Sequence, residues 1–181
     1  MKNVLVITGS PRKNGNTALL ANAFIEGAKT AGNEVMLFEA GEMKINGCID
    51  CKTCFKNETA CSFNDDFNHL VPMLEKTDII VFCTPLYWFT FPTQLKAVID
   101  KFYSFNVGKK EWAIKESILI TCAGDDDIKV FDGMIKTYDL MVEYLGWKNR
   151  EILSIPSVNE IGDIKNTKGL EDAKNIGLKI I

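Results

Sequence analysis

Apolar residues in this chain fall into short blocks of two kinds. Val4-Leu5-Val6-Ile7, Ile79-Ile80-Val81-Phe82 and Ile118-Leu119-Ile120 are continuous and rich in β-branched side chains, the pattern of strands buried on both faces. Between them the apolar positions recur at helical spacing: Leu19, Leu20, Ala23, Phe24 and Ala28 share one face, and so do Leu95, Val98, Ile99 and Phe102. Strands are therefore predicted at Val4–Thr8, Glu34–Glu39, Asp78–Cys83, Ser117–Cys122 and Arg150–Pro156. Glu34–Glu39 alternates polar and apolar, as a strand nearer the sheet edge would. Helices are predicted at Thr17–Ala31 with Gly32 as its stop, from the Asp65-Asp66 cap to near Lys76, and at Thr93–Phe105, Val130–Leu145 and Lys168–Ile181. Pro72 falls inside the second of these, which predicts a kink or a late start. Strands and helices alternate throughout, so the fold class is α/β: a doubly wound parallel sheet covered on both faces, in one domain spanning residues 1–181. A loop rich in Gly and Cys interrupts the alternation at about residues 41–64.

Composition adds three constraints. The 181 residues are 46% hydrophobic, enough for one sizeable core. The net charge of −3 argues against nucleic acid or an anionic membrane held by bulk charge. No run approaches the roughly 18 apolar residues that span a bilayer, and Met1-Lys2-Asn3 followed at once by a strand is no signal peptide. A cytoplasmic protein is expected, in which six cysteines point to metal or redox chemistry before disulfides.

In doubly wound sheets ligands bind beyond the carboxyl ends of the strands, where strand order reverses. Three loops at that edge carry candidate chemistry. Gly9-Ser10-Pro11-Arg12-Lys13-Asn14-Gly15-Asn16-Thr17 leads from the first strand into the first helix. The unpaired N–H groups of the helix start, the hydroxyls of Ser10 and Thr17, the amide of Asn16 and the guanidinium of Arg12 make a cup suited to phosphate. It is not a Walker A loop, because five residues separate Gly9 from Gly15 and Asn16 stands where the lysine would be. An ordinary capped turn would use the same residue types. After the third strand, Thr84 to Pro92 holds Tyr87, Trp88, Phe89 and Phe91. Such aromatics suit a flat ring, or a lid packed on the core or on a second subunit. After the fourth strand, Cys122-Ala123-Gly124-Asp125 lets backbone approach a ligand closely.

The order of Gly9-Ser10-Pro11-Arg12…Gly15-Asn16-Thr17, Pro85-Leu86-Tyr87-Trp88 and Leu95-Lys96…Asp100-Lys101 resembles the flavodoxin-like NAD(P)H-dependent FMN reductases. Cys122-Ala123-Gly124-Asp125 and Leu145-Gly146-Trp147 extend the likeness across most of the chain. The resemblance implies a five-stranded sheet in the order 2-1-3-4-5 and non-covalently bound FMN. Its phosphate would lie in the loop of Ser10, Arg12, Asn14, Asn16 and Thr17. Its ring system would lie by Pro85, Leu86, Tyr87, Trp88 and Phe89 and by Ala123, Gly124 and Asp125. NADH or NADPH would give hydride to the flavin N5, with no side chain as catalyst, and electrons would pass to a small acceptor such as a quinone or a flavin. The lone histidine, His69, is read as a surface or packing residue.

Cys48-x-x-Cys51-x-x-Cys54, with Cys61 after six more residues, can turn its thiolates toward one centre. This spacing resembles the cluster of iron–sulfur flavoproteins, which implies a [4Fe–4S] centre and, as an alternative function, an electron carrier fed by a ferredoxin-type partner. Zinc and bare thiols remain open, as does an FMN-binding module without turnover. Cys83 and Cys122 are read as small core residues. The aromatic loop and the apolar Phe102–Phe105 segment suggest a homodimer or higher homo-oligomer.

Overall fold

The computed structural model describes residues 1–56 and 59–181. Its elements are β1 (Asn3–Thr8), α1 (Asn16–Thr30), β2 (Glu34–Glu39), α2 (Phe67–Leu74), β3 (Ile79–Pro85), α3 (Thr93–Lys101), α4 (Tyr103–Gly108), β4 (Glu116–Cys122), α5 (Asp132–Leu145), β5 (Lys148–Ile155) and α6 (Gly169–Leu178). Short 3₁₀ turns lie at Ala40–Glu42, Ile128–Phe131 and Asp163–Asn166. All five strands are parallel, in the order β2-β1-β3-β4-β5. β2 takes the edge, as its alternating pattern predicts, and chain order reverses between β1 and β3.

The period of two along each strand sends alternate side chains to opposite faces. Val4 and Val6 of β1 and Ile118 and Ile120 of β4 face α1 and α6, where Leu20, Phe24 and Ala173 complete a core. Leu5 and Ile7, with Ile80, Phe82 and Leu119, face the other layer. There Phe67, Leu70, Leu95, Val98 and Tyr138 close over them from α2, α3 and α5. Glycine sets the α1–α6 distance: a Cβ on Gly27 would lie 2.1 Å from the Lys174 carbonyl oxygen, and one on Gly177 would lie 2.3 Å from that of Phe24. The two helices touch backbone to backbone. Among the described residues no helix is long and apolar enough to cross a membrane.

Three details depart from the sequence pattern. α2 starts on time at Phe67 and runs through Pro72, two residues before its end. An interior proline removes one N–H bond from the helix. The predicted helix Thr93–Phe105 is two helices, broken where the Phe102 amide donates to the Ile99 carbonyl at 3.0 Å in a tightened turn. Phe102 and Phe105 then point inward. Phe105 stacks on Trp112 with ring centres 4.0 Å apart, and Phe102 meets Trp147 edge-on. Both are buried, and Tyr103 is the aromatic of that segment that stays exposed.

Candidate functional site

The reversal of strand order opens a cleft at the carboxyl edge of the sheet, the place where ligands bind in doubly wound folds. Ser10, Arg12, Gly15, Asn16 and Thr17 line one side, Pro85, Leu86 and Tyr87 a second, and Cys122, Ala123 and Gly124 the floor. Burial pushes the Cys122 thiol up to about 12, so it stays protonated and apolar.

The first wall is poised for an anion. α1 begins after Gly15 with no side chain capping it, which leaves the first-turn amides with no partner among the described residues. Thr17 is buried, and its Oγ1 has no hydrogen-bond partner among the described residues. A buried hydroxyl without a partner costs about 1–3 kcal/mol, a cost that a ligand oxygen at this spot removes. Arg12 is exposed at the rim, with no carboxylate in ion-pair range among the described residues. Ser10 Oγ accepts the Arg12 amide at 3.1 Å and keeps its own proton to donate. Backbone contact fixes the loop from both sides: a Cβ on Gly9 would lie 2.5 Å from Thr84 Oγ1, and one on Gly41 would lie 2.0 Å from the Ser10 carbonyl oxygen.

Not every residue singled out from the sequence sits in the cleft. Asn16 lines it, but its amide is engaged elsewhere: Nδ2 donates to the Glu160 carbonyl at 2.7 Å, and Oδ1 accepts the Gly162 amide at 2.8 Å. Asn16 is therefore a strut that holds the loop after β5 against the start of α1. Asn14 takes the left-handed position of the turn, at φ 55°, and lies outside the lining. Asp125 is turned back to accept the Asp127 amide at 3.0 Å. The aromatic loop divides. Tyr87 lines the cleft, Phe91 packs in the core against Phe82, and Trp88 and Phe89 project into solvent, with Trp88 92% exposed. Tyr87 and Thr90 exchange both backbone bonds around Trp88 (φ 47°) and Phe89 (φ 64°). That is the two-residue turn usually built from Asn-Gly, and each bulky left-handed residue costs about 1–2 kcal/mol.

The sequence reading missed Val158, Asn159 and Ile161, which line the cleft from the loop after β5. The signal was available, since β5 ends at the same edge as β1, β3 and β4. The Asn159/Gly162 turn is the kind of loop that approaches a ligand.

The cysteine loop forms a second pocket. Cys48, Cys51, Cys54 and Cys61 all line it, together with Phe63, Lys101, Tyr103 and Ser104. Asp50, Lys52 and Phe55 hold left-handed φ values of 54°, 57° and 57°, and these bends let closely spaced cysteines share one pocket. Non-glycine residues pay for this conformation, and such strain gathers at functional sites. The loop is tied down at several points. Asn68 accepts the Cys61 amide at 2.9 Å and donates to the Cys61 carbonyl at 3.1 Å. Phe55 meets Phe105 edge-on at 6.0 Å. Lys101 Nζ and Asp65 Oδ2 form an ion pair at 2.5 Å, with side chains 1% and 4% exposed. Burial works to raise the Asp65 carboxyl, but hydrogen bonds from Lys101 and Asn46 outweigh it and leave it below its ordinary value.

The four thiols differ. Hydrogen bonds from Ser62 and Thr53 lower Cys51 to about 7. Burial first, then the neighbouring Cys61, Cys51 and Cys48 sulfurs, raise Cys54. Among the described residues no three His, Cys, Asp or Glu side chains are gathered closely enough to hold a single metal ion. His69 is exposed and lies outside both pockets.

The family profile described as NADPH-dependent FMN reductase matches residues 2–130 of this chain. The chain belongs to the NADPH-dependent FMN reductase family. An iron–sulfur flavoprotein of Archaeoglobus fulgidus is 33% identical over 101 residues, covering 55% of this chain and 45% of the relative. One from Methanocaldococcus jannaschii is 30% identical over 105 residues, covering 58% and 54%. The chain spans about half the length of these curated relatives. Among solved structures, the NAD(P)H:quinone oxidoreductase of Methanothermobacter marburgensis superposes with a TM-score of 0.80 at 17% identity, covering 99% of this chain and 96% of that one. An azoreductase of Bacillus anthracis gives 0.72 at 19% identity, covering 99% and 100%. These likenesses establish the shared fold.

Proposed function

We propose that this chain binds FMN without a covalent bond in the cleft between β1, β3 and β4 and passes electrons from NADH or NADPH to a small acceptor such as a quinone or a flavin. One observation carries the reading: the unpartnered Thr17 hydroxyl lies buried beside the uncapped start of α1. The chemistry of these donors fits a phosphate dianion. Thr17, Ser10 and the α1 amides would hold that group, and Arg12 would close on it from the rim. Pro85, Leu86 and Tyr87 would lie beside the flat ring, over the backbone of Ala123 and Gly124. FMN supplies the acceptance of hydride and its release as electrons. The protein orients the ring, excludes water from one side of it and leaves the mouth open to a second planar molecule. No acid or base side chain is assigned, and burial keeps the Cys122 thiol protonated. The reading is tested on purified protein by its flavin absorbance, its uptake of added FMN and its oxidation of NADH and NADPH. Colourless protein that takes up no FMN overturns it.

A second reading has its own observation. Four thiols line one pocket, drawn there by strained bends, and the relatives named above are called iron–sulfur flavoproteins. Four thiolates on one zinc ion, at about 2.3 Å each, would crowd to within about 4 Å of one another. Thiols spread around a pocket better suit a [4Fe–4S] centre, in which each takes its own iron. Cys48, Cys51, Cys54 and Cys61 would be its ligands, and the chain would then exchange electrons with a ferredoxin-type partner. Iron and acid-labile sulfide on protein prepared without air decide this. Turnover with neither nicotinamide would favour the carrier.

A further inference from the structure

Two hydrogen-bond donors in the walls of the cysteine pocket have protons with no acceptor among the described residues. Ser104, on α4, lines the pocket and is 2% exposed, and its Oγ has no hydrogen-bond partner among the described residues. A serine in the first turn of a helix normally bonds a nearby backbone group or faces water; Ser104, the second residue of α4, does neither among the described residues. Lys101, also in the lining, spends one N–H on Asp65 and faces the rings of Phe63 and Phe67 at 5.1 and 5.5 Å. It has no second acceptor among the described residues. A buried hydroxyl and a buried ammonium with unspent protons therefore border a pocket lined by four cysteine sulfurs, in which the other charged groups, Lys52 and Asp50, are paired with each other.

We propose that Ser104 donates a hydrogen bond to sulfur in the centre held by this pocket and so raises that centre's reduction potential. Reduction adds negative charge to cluster and thiolate sulfur, so a donor or a cation close by stabilises the reduced form more than the oxidised one. Ser104 is a positioning and tuning residue; the ligands are the four cysteines. The inference rests on the iron–sulfur reading above.

The test uses full-length protein prepared without air, unsubstituted and as Ser104→Ala and Ser104→Thr. Iron and sulfide are counted, and the potentials of cluster and flavin are followed in one titration by electron paramagnetic resonance and absorbance. Ser104→Ala should keep its iron and its thermal midpoint, because alanine favours the helix and removes an unpaired hydroxyl. Its cluster should become about tenfold harder to reduce, which is about 59 mV for one electron. Ser104→Thr should restore the potential, and the flavin potentials should not move. A full cluster with an unmoved potential in Ser104→Ala overturns the inference and leaves the iron–sulfur reading standing. Loss of iron from Ser104→Ala also overturns it, by assigning Ser104 to cluster retention. Unsubstituted protein without iron or sulfide overturns the reading and the inference with it.

Discussion

Replacing Thr17 by valine separates two roles of one hydroxyl. The side chains match in shape and in branching at Cβ, so packing at the start of α1 is kept. In cofactor-free protein Thr17 Oγ1 is buried with no partner among the described residues, and the desolvation cost of such a group is about 1–3 kcal/mol. Removing it should leave the cofactor-free protein as stable as before, or more stable by up to about that amount. In the complex the same oxygen would donate to a phosphate dianion, a charge-assisted bond worth about 1.5–3 kcal/mol. Thr17→Val should therefore weaken FMN roughly 10- to 150-fold. Urea unfolding of cofactor-free protein measures the first effect, and quenching of flavin fluorescence on titration measures the second. The two effects have opposite signs, which a general loss of structure cannot produce. An unchanged dissociation constant would show that the hydroxyl does not meet the phosphate. A marked loss of cofactor-free stability would show that it has a protein partner after all.

Arg12→Ala should weaken FMN by about 1.5–3 kcal/mol in the same titration, with a loss that shrinks as salt is raised because Arg12 is exposed. Lys101→Met should destabilise the fold by about 3–5 kcal/mol in urea, because it leaves the Asp65 carboxylate buried without its partner. The pH dependence follows from the direction of the Asp65 shift. Its carboxyl is held below its ordinary 3.8 in the folded chain, so the stability it adds is present above that value and is lost as pH falls through the folded-state value. The urea midpoint of Asp65→Asn should thus fall below that of the unsubstituted protein at pH 7, and the gap should close on acidification; a gap that stays constant with pH contradicts the assignment.

The sheet was legible in the sequence because buried parallel strands are written as continuous apolar runs and their helices as one-sided stripes. Val4–Ile7 and Ile79–Phe82 leave no other reading. The composition of the β1–α1 loop was legible but its bonding was not: nothing in Gly15-Asn16-Thr17 reveals that the Asn16 amide is taken by Glu160 and Gly162, far along the chain. Left-handed backbone is foreseen where glycine or asparagine stands, as at Gly146 and Asn14, but not at Lys52, Phe55, Trp88 or Phe89; at Trp88 and Phe89 the backbone pairing of Tyr87 with Thr90 imposes it. Lys101 has a charge that sequence patterns place outside, and only the approach of Asp65 from the cysteine loop allows it to be buried. Phe102 and Phe105 looked like surface for a partner because their own partners, Trp112 and Trp147, arrive from later in the chain. The pattern of a single element is local information, whereas these features are settled by the tertiary neighbours each residue meets.

The central claim is that the first turn of α1 grips a phosphate and so places the flat ring. Parallel titrations of cofactor-free protein with FMN and with riboflavin, which differ only in that phosphate, test it most directly. FMN is expected to bind at least about tenfold more tightly, the minimum for one charge-assisted bond. Equal affinity for the two would contradict it.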